Sequence, residues 1–324
     1  MNKEFISKRV NNIKPSPTIA VTAKAREMRE AGKDVIGLGA GEPDFDTPDH
    51  IKQAAIKAIK EGKTKYTAVD GILELKEAII KKFKKDNNLT FDKNEISVAT
   101  GGKQILYNAF QATINEGDEV IIPAPYWVSY TDMTILAGGK PIIISTLQHN
   151  NFKLDPNKIA KFINEKTKWI IINSPSNPTG VTYSEQEILE IAKIIEKFPN
   201  VWVLSDDIYE KITYDDFMFS TIAQVYPNLK NRVLTVNGVS KAYSMTGWRI
   251  GYAGGPEGLI KAMAKVQSQS TSNPTSISQY AALQALISEE DFIKKNNNLF
   301  KDRRDLIVEA INNIQGIECN LPNG

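Results

Sequence analysis

Between residues 96 and 254 the chain repeats one pattern, a short run of continuous apolar, largely β-branched residues followed by a stretch with helical periodicity. The runs span 96–99, 119–122, 141–145, 169–172, 201–204, 233–236 and 249–253. Most are unbroken rather than alternating, as strands covered on both faces must be. Helix starts punctuate the gaps. Ser184-Glu185-Gln186-Glu187 predicts a capping box ahead of a helix over 188–198. Thr47 followed by Pro48 predicts an N-cap with proline at the first helical position. The alternation predicts an α/β fold with a mostly parallel sheet flanked by helices. Such sheets bind ligands beyond the carboxyl ends of their strands, so the residues just past each run are where chemistry is to be sought.

The bulk composition narrows the classes. A chain of 324 residues exceeds one ordinary core and predicts two domains. A net charge of +2 gives no reason to expect nucleic acid or a membrane surface as partner. Lys81, Lys82, Lys84 and Lys85 read as the solvated face of a helix. The single cysteine, Cys319, allows no internal disulfide and reads as a buried inert thiol. Two histidines, His50 and His149, leave little for a metal site or a Ser-His-Asp hydrolase. No run reaches the roughly 18 apolar residues of a membrane span, and the N-terminus lacks a signal-peptide pattern. The cytoplasm is the expected location. Residues 1–46 read as an arm plus a loop, and residues 291–314 as a long charged helix.

Four segments beyond the runs carry candidate chemistry. In Gly238-Val239-Ser240-Lys241, the lysine lies past a buried strand, where desolvation lowers its pKa and suits it to a Schiff base with an aldehyde. Arg249, eight positions on, can grip a phosphate in bidentate fashion. A lone lysine after a strand is more often a surface residue, and it is the spacing to Arg249 that favours function. Asp206 ends another run, and a carboxylate in a dry pocket needs a cation; Tyr209 follows three positions later. The bland reading there is an acidic loop. Asn177, in Asn173-Ser174-Pro175-Ser176-Asn177-Pro178-Thr179-Gly180, offers an amide on a rigid turn. Thr100-Gly101-Gly102-Lys103 precedes a helix whose N-terminus favours phosphate. Either of these last two alone is an ordinary turn. Gly37-Leu38-Gly39-Ala40-Gly41 is not a dinucleotide fingerprint, because its spacing is wrong and Pro43 and Pro48 prevent a helix from opening there.

Taken as a set, these segments resemble the fold-type I enzymes that depend on pyridoxal 5′-phosphate (PLP), specifically class I aminotransferases of the bacterial aspartate/prephenate subgroup. The motifs that carry the resemblance are Ala40-Gly41-Glu42-Pro43-Asp44-Phe45-Asp46-Thr47-Pro48, Gly62-Lys63-Thr64-Lys65-Tyr66, Pro125-Tyr126-Trp127-Val128-Ser129-Tyr130, Asn177-Pro178-Thr179-Gly180, Ser205-Asp206-Asp207-Ile208-Tyr209-Glu210 and the stretch from Ser240-Lys241 to Gly247-Trp248-Arg249. The resemblance implies that Lys241 carries the cofactor and then shuttles the substrate's proton. It implies that Asp206 pairs with the pyridine nitrogen, that Tyr209 and Asn177 hydrogen-bond the phenolate oxygen, and that Trp127 stacks on the ring. Gly102, Lys103, Ser240 and Arg249 would surround the phosphate, with Tyr66 reaching the phosphate of a partner subunit in a homodimer with shared sites. Gly41, Asn177 and Trp127 would meet the substrate, Lys103 is suited to its distal carboxylate, and Lys14 matches a position linked to prephenate.

The implied architecture is a large PLP-binding domain over 47–290, with a small α/β domain assembled from 1–46 and from 291 onward. Chains of this family continue beyond the point matching Gly324, where their α-carboxylate arginine lies. The chain is therefore read as C-terminally incomplete, with cofactor binding retained and substrate binding affected. The expected reaction is amino transfer from L-aspartate to 2-oxoglutarate, giving oxaloacetate and L-glutamate, with conversion of prephenate to L-arogenate as the candidate second activity. The rival readings are an aminotransferase for aromatic amino acids or alanine, a PLP-dependent lyase, and a catalytically silent binding or regulatory module.

Overall fold

The computed structural model describes residues 5–324. Its centre is a seven-stranded sheet in the order β1-β7-β6-β5-β4-β2-β3. The strands are β1 (Ile96–Ala99), β2 (Glu119–Ala124), β3 (Lys140–Ser145), β4 (Thr167–Asn173), β5 (Trp202–Asp206), β6 (Val233–Gly238) and β7 (Gly251–Gly254). β7 runs antiparallel to both of its neighbours, and every other pairing is parallel. Each expected run contains a strand. Arg249 lies outside the last one, because its φ of 56° is a left-handed conformation that breaks the extended chain before β7 begins.

The helices are α1 (Lys8–Asn11), α2 (Pro17–Glu30), α3 (Asp49–Lys60), α4 (Leu73–Asn87), α5 (Gly102–Thr113), α6 (Ser129–Leu136), α7 (Pro156–Phe162), α8 (Glu185–Glu196), α9 (Ile222–Val225), α10 (Glu257–Ser268), α11 (Ser276–Ile287) and α12 (Asp291–Asn312). They cover both faces of the sheet, and the period of two along a strand explains the unbroken apolar runs. Ile121, Ile170, Ile172, Val203 and Val233 enter one core with α3, α4, α8 and α11. Val120, Ile122, Trp169, Ile171, Leu204 and Leu234 enter the other with α5, α6 and α10. Truncating any of these isoleucines or leucines to alanine removes about 2–5 kcal/mol of stability.

The capping box forms as expected. Ser184 Oγ accepts from the Glu187 N–H at 3.3 Å, and Glu187 Oε2 accepts from the Ser184 N–H at 2.8 Å. Four other expectations fail. Thr47 does not cap α3, whose N-cap is Pro48; its hydroxyl is engaged by the lysine loop instead. Lys82 is not solvated but 7% exposed, held by an ion pair with Glu210. Cys319 is half-buried rather than buried. Where an arm plus a loop was expected over 1–46, the described residues 5–46 hold two helices, of which α2 buries no residue and leaves Ile19 68% exposed. Pro17 at the first position and the alanine-, arginine- and glutamate-rich sequence that follows make α2 by propensity, without an apolar stripe to reveal it.

Candidate active site

The sheet register brings the candidate segments to one edge. Asn173 lies beside Asp206, and Asp206 beside Val236. Two residues further on, Gly238 pairs with Gly251, which pairs with Ala99. The loops leaving β1, β4, β5 and β6, and the segment entering β7, therefore converge. Gly251 must be glycine, since a Cβ there would overlap the Gly102 backbone at the start of α5. Gly101, at φ 82°, has the same role against the Arg249 guanidinium.

Asp206 sits at the floor, 5% exposed. Tyr130 Oη donates to its Oδ2 at 2.6 Å, and the Ile208 N–H approaches its Oδ1 at 3.4 Å. Among the described residues it has no cationic partner. Desolvation pushes its pKa up, against the smaller downward pull of those hydrogen bonds. The same burial, with the charge of Asp206, raises Tyr130 well above the usual phenol range. Tyr209 is pushed up to about 12, first by burial and then by Asp206, against the hydrogen bond from Asn177. Asn177 is itself fixed from below. Its N–H donates to Asn173 Oδ1 at 2.8 Å, and Asn173 Nδ2 donates to the Asp206 carbonyl at 2.8 Å.

Lys241 projects above this floor, with its Nζ 5.8 Å from the centre of the Tyr209 ring and donating to the Gly41 carbonyl. Desolvation lowers its pKa, Glu42 opposes that shift, and Arg249 adds to it. Two clasps tie the lysine loop to the 41–47 segment. Thr47 Oγ1 donates to the Ser244 carbonyl at 2.6 Å and accepts from Trp248 Nε1 at 3.0 Å, while Thr246 Oγ1 donates to Glu42. Ser240 beside Lys241 is buried. Lys103, at the start of α5, lies 4.8 Å from the centre of the Trp127 ring. Its pKa falls by desolvation and then by repulsion from Arg249. Neither cation has a carboxylate partner among the described residues, and Arg249 Nη1 donates only to the Thr246 carbonyl, at 2.8 Å. Two unneutralised cations at a helix N-terminus make an anion site.

A cleft of about 370 Å³ opens over Lys241, lined by Gly41, Asn177, Tyr209 and Tyr214 among others. Another, of about 380 Å³, lies along edge strand β3, but its Lys153 is already paired with Glu187 at 2.8 Å. The first is the candidate site, because the desolvated Lys241 amine, Asn177 and Tyr209 line it, and the buried Asp206 and the Lys103–Arg249 anion cradle lie on the loops that converge beside it. The structure thus gathers Lys241, Asp206, Tyr209, Asn177, Gly102, Lys103, Trp127, Ser240, Arg249 and Gly41. It does not bring in Tyr66, which is 91% exposed, or Lys14, which is exposed and makes no side-chain hydrogen bond among the described residues. Sequence reasoning assigned no role to Tyr130 and mistook that of Thr47. The Trp127–Tyr130 spacing of one helical turn was the signal available for Tyr130.

The family described as aminotransferase class I and II matches residues 33–324. The chain belongs to that family. It is 57% identical to the aspartate/prephenate aminotransferase of Cereibacter sphaeroides over 320 residues, which cover 99% of this chain and 80% of that one. The crystal structure of the aspartate aminotransferase from Rhizobium meliloti superposes with a TM-score of 0.95 at 53% identity, covering 98% of this chain and 80% of the other. The Thermus thermophilus aspartate aminotransferase with maleate gives a TM-score of 0.95 at 44% identity, covering 98% and 83%. The family's cofactor is PLP, and the donor set of this aminotransferase fits it. A carboxylate lacking a cation suits a protonated ring nitrogen, a desolvated amine suits an aldehyde, and the Gly102, Lys103 and Arg249 cradle suits a phosphate. Among the described residues no helix is long and apolar enough to cross a membrane.

Proposed function

We propose that this aminotransferase transfers the amino group of L-aspartate to 2-oxoglutarate, with prephenate as a second acceptor. The observation that carries the reading is the buried Asp206 carboxylate, without a cation, below the desolvated Lys241 amine. PLP supplies an aldehyde for the amine and a ring that takes up the electrons released when the α-proton leaves. Lys241 would hold the cofactor, and its Nζ would carry the proton taken from the substrate Cα. Asp206, oriented by Tyr130, keeps the ring nitrogen protonated. Tyr209 and Asn177 would hold the phenolate oxygen, and Trp127 would cover the ring. Gly102, Lys103, Ser240 and Arg249 bind the phosphate, and Gly41 and Asn177 meet the substrate's α-carboxylate.

Lys103 has a second role in this reading, at the distal carboxylate of a dicarboxylic substrate, and Lys14 contributes to prephenate use. The names of the relatives support the substrates, as does the maleate, a four-carbon dicarboxylate, held by the Thermus thermophilus enzyme. The reading includes a homodimer in which the partner's copy of Tyr66 completes the phosphate site. The exposure of Tyr66, Ile36 and Leu38 is consistent with burial against a second copy. It also includes a cytoplasmic setting, since one free cysteine suits a reducing compartment. The test is the absorbance of the PLP-loaded protein. Aspartate is expected to convert the yellow band to the aminated form of the cofactor, and 2-oxoglutarate to restore it. A spectrum unmoved by aspartate but moved by phenylalanine or alanine would replace the substrate assignment.

A further inference from the structure

Beneath the turn that carries Asp206 and Tyr209 lies a second group of buried charges, away from the cleft. Lys82 is 7% exposed, Asn87 1% and Glu210 7%. They close a ring. Lys82 Nζ donates to Asn87 Oδ1 at 2.8 Å, Asn87 Nδ2 donates to Glu210 Oε2 at 2.9 Å, and Glu210 Oε1 is ion-paired with Lys82. An outer layer surrounds it. Asp86 lies 3.8 Å from Lys82 and 2.9 Å from Lys211, Lys211 lies 3.0 Å from Glu290, and Glu290 lies 3.0 Å from Lys85. Three segments are thereby joined, namely the end of α4, the turn after β5 and the start of α12.

A buried ion pair is a poor source of stability, because desolvation offsets its attraction and a well-packed apolar pair does as well. What the ring supplies is geometry, since each of its three side chains is held by the other two. Glu210 is the residue next to Tyr209 in a tight turn, where its N–H donates to the Asp207 carbonyl at 3.0 Å and the Ile212 N–H to the Tyr209 carbonyl at 2.8 Å. Adjacent Cα atoms are about 3.8 Å apart at fixed length, so a shift of Glu210 is passed to Tyr209. The network also reaches the lysine loop. Tyr243, two residues after Lys241, is 7% exposed, and its phenol is pushed up by burial and then by Glu290, Asp86 and Glu210.

We propose that Lys82, Asn87 and Glu210 form a positioning ring that sets the orientation of Tyr209, and with it the acidity of the cofactor group that Tyr209 contacts. The inference rests on the PLP reading of the site but not on the identity of the substrate. The test uses the PLP-loaded full chain carrying Lys82→Met together with Glu210→Leu, which removes both charges and keeps the volume. The pH at which the bound cofactor's absorbance changes is expected to move by about half a unit or more, and kcat for aspartate to fall about tenfold with a much smaller change in KM. The thermal midpoint of the cofactor-free protein should stay near that of the parent. Lys82→Arg, which keeps the charge, should restore most of the parental pH profile when Glu210 is present.

An absorbance transition and kcat equal to the parent's would overturn the proposal. So would a loss of activity that merely tracks a lower thermal midpoint. If the double variant does not fold, Glu210→Gln takes its place; a smaller shift of the absorbance transition is expected, and no shift sinks the idea. A parent chain that binds PLP but leaves aspartate unchanged would refute the substrate assignment alone, since the absorbance titration needs no turnover.

Discussion

Two buried carboxylates four positions apart have opposite surroundings. Glu210 is neutralised by Lys82 and hydrogen-bonded by Asn87, whereas Asp206 has only a phenol and a backbone N–H. A scaffold satisfies its buried charges from within. A site built to receive a cationic ring leaves one unsatisfied and carries the cost until the ligand arrives. The contrast separates structure from function without reference to any relative, and it can be broken experimentally.

The largest effect is expected at Asp206. Replacing it with asparagine should lower the single-turnover rate with aspartate by about 10³-fold or more, since a neutral amide cannot hold the ring nitrogen protonated. The cofactor-free protein should be as stable as the parent or more so, because an uncompensated carboxylate has gone. A thermal melt and stopped-flow absorbance check the two halves.

Glu210→Ala is the mirror image. It strands Lys82 in the interior and should cost about 3–5 kcal/mol in denaturant unfolding. A cost under 1 kcal/mol would mean that water reaches the ring.

Asp207 tests whether an unpaired buried carboxylate must belong to the cleft. Burial raises it to about 7, against hydrogen bonds from Thr221 and from Ser205, whose Oγ donates to its Oδ1 at 2.7 Å, and among the described residues it has no cationic partner. Because the folded state holds the proton to higher pH than the unfolded chain, the contribution of Asp207 to stability should be greatest below about pH 4 and decline as pH rises to about 7. The loss is on the order of 4 kcal/mol at most. Unfolding curves of the parent and of Asp207→Asn across that window give the difference, and parallel curves would remove Asp207 from the comparison.

The smallest effect is expected for Tyr130→Phe, which deletes one hydrogen bond to Asp206 and leaves its charge. A fall in turnover of about tenfold or less is expected, with the cofactor retained. A loss as large as that of Asp206→Asn would make Tyr130 a principal determinant of the carboxylate's state.

Much of this was legible in the chain. Unbroken runs such as 169–172 marked strands because burial on both faces leaves no polar register. Lys241, Asp206, Asn177 and Arg249 could be singled out because ligands of such sheets gather at strand ends, and the fold brings these four to one edge of the sheet. The failures have a common cause. Lys82 sits among lysines that do face solvent, and although it falls on the apolar face of α4, seven positions after Leu75 and three after Ile79, the carboxylate that holds it there lies 128 positions away. Thr47 has the right neighbours for a cap, yet its hydroxyl found a better acceptor 197 positions away.

The sequence by itself determined the order of strands and helices, the residues that end each strand, and the family. Those features are set by periodicity and by motifs read over a few residues. Only the tertiary structure decided which charges are paired, which lysine is buried and which hydroxyl clasps the lysine loop. A side chain's charge state and partner depend on the groups and the water around it, and those are brought together from distant parts of the chain only once the sheet and its two layers of helices close.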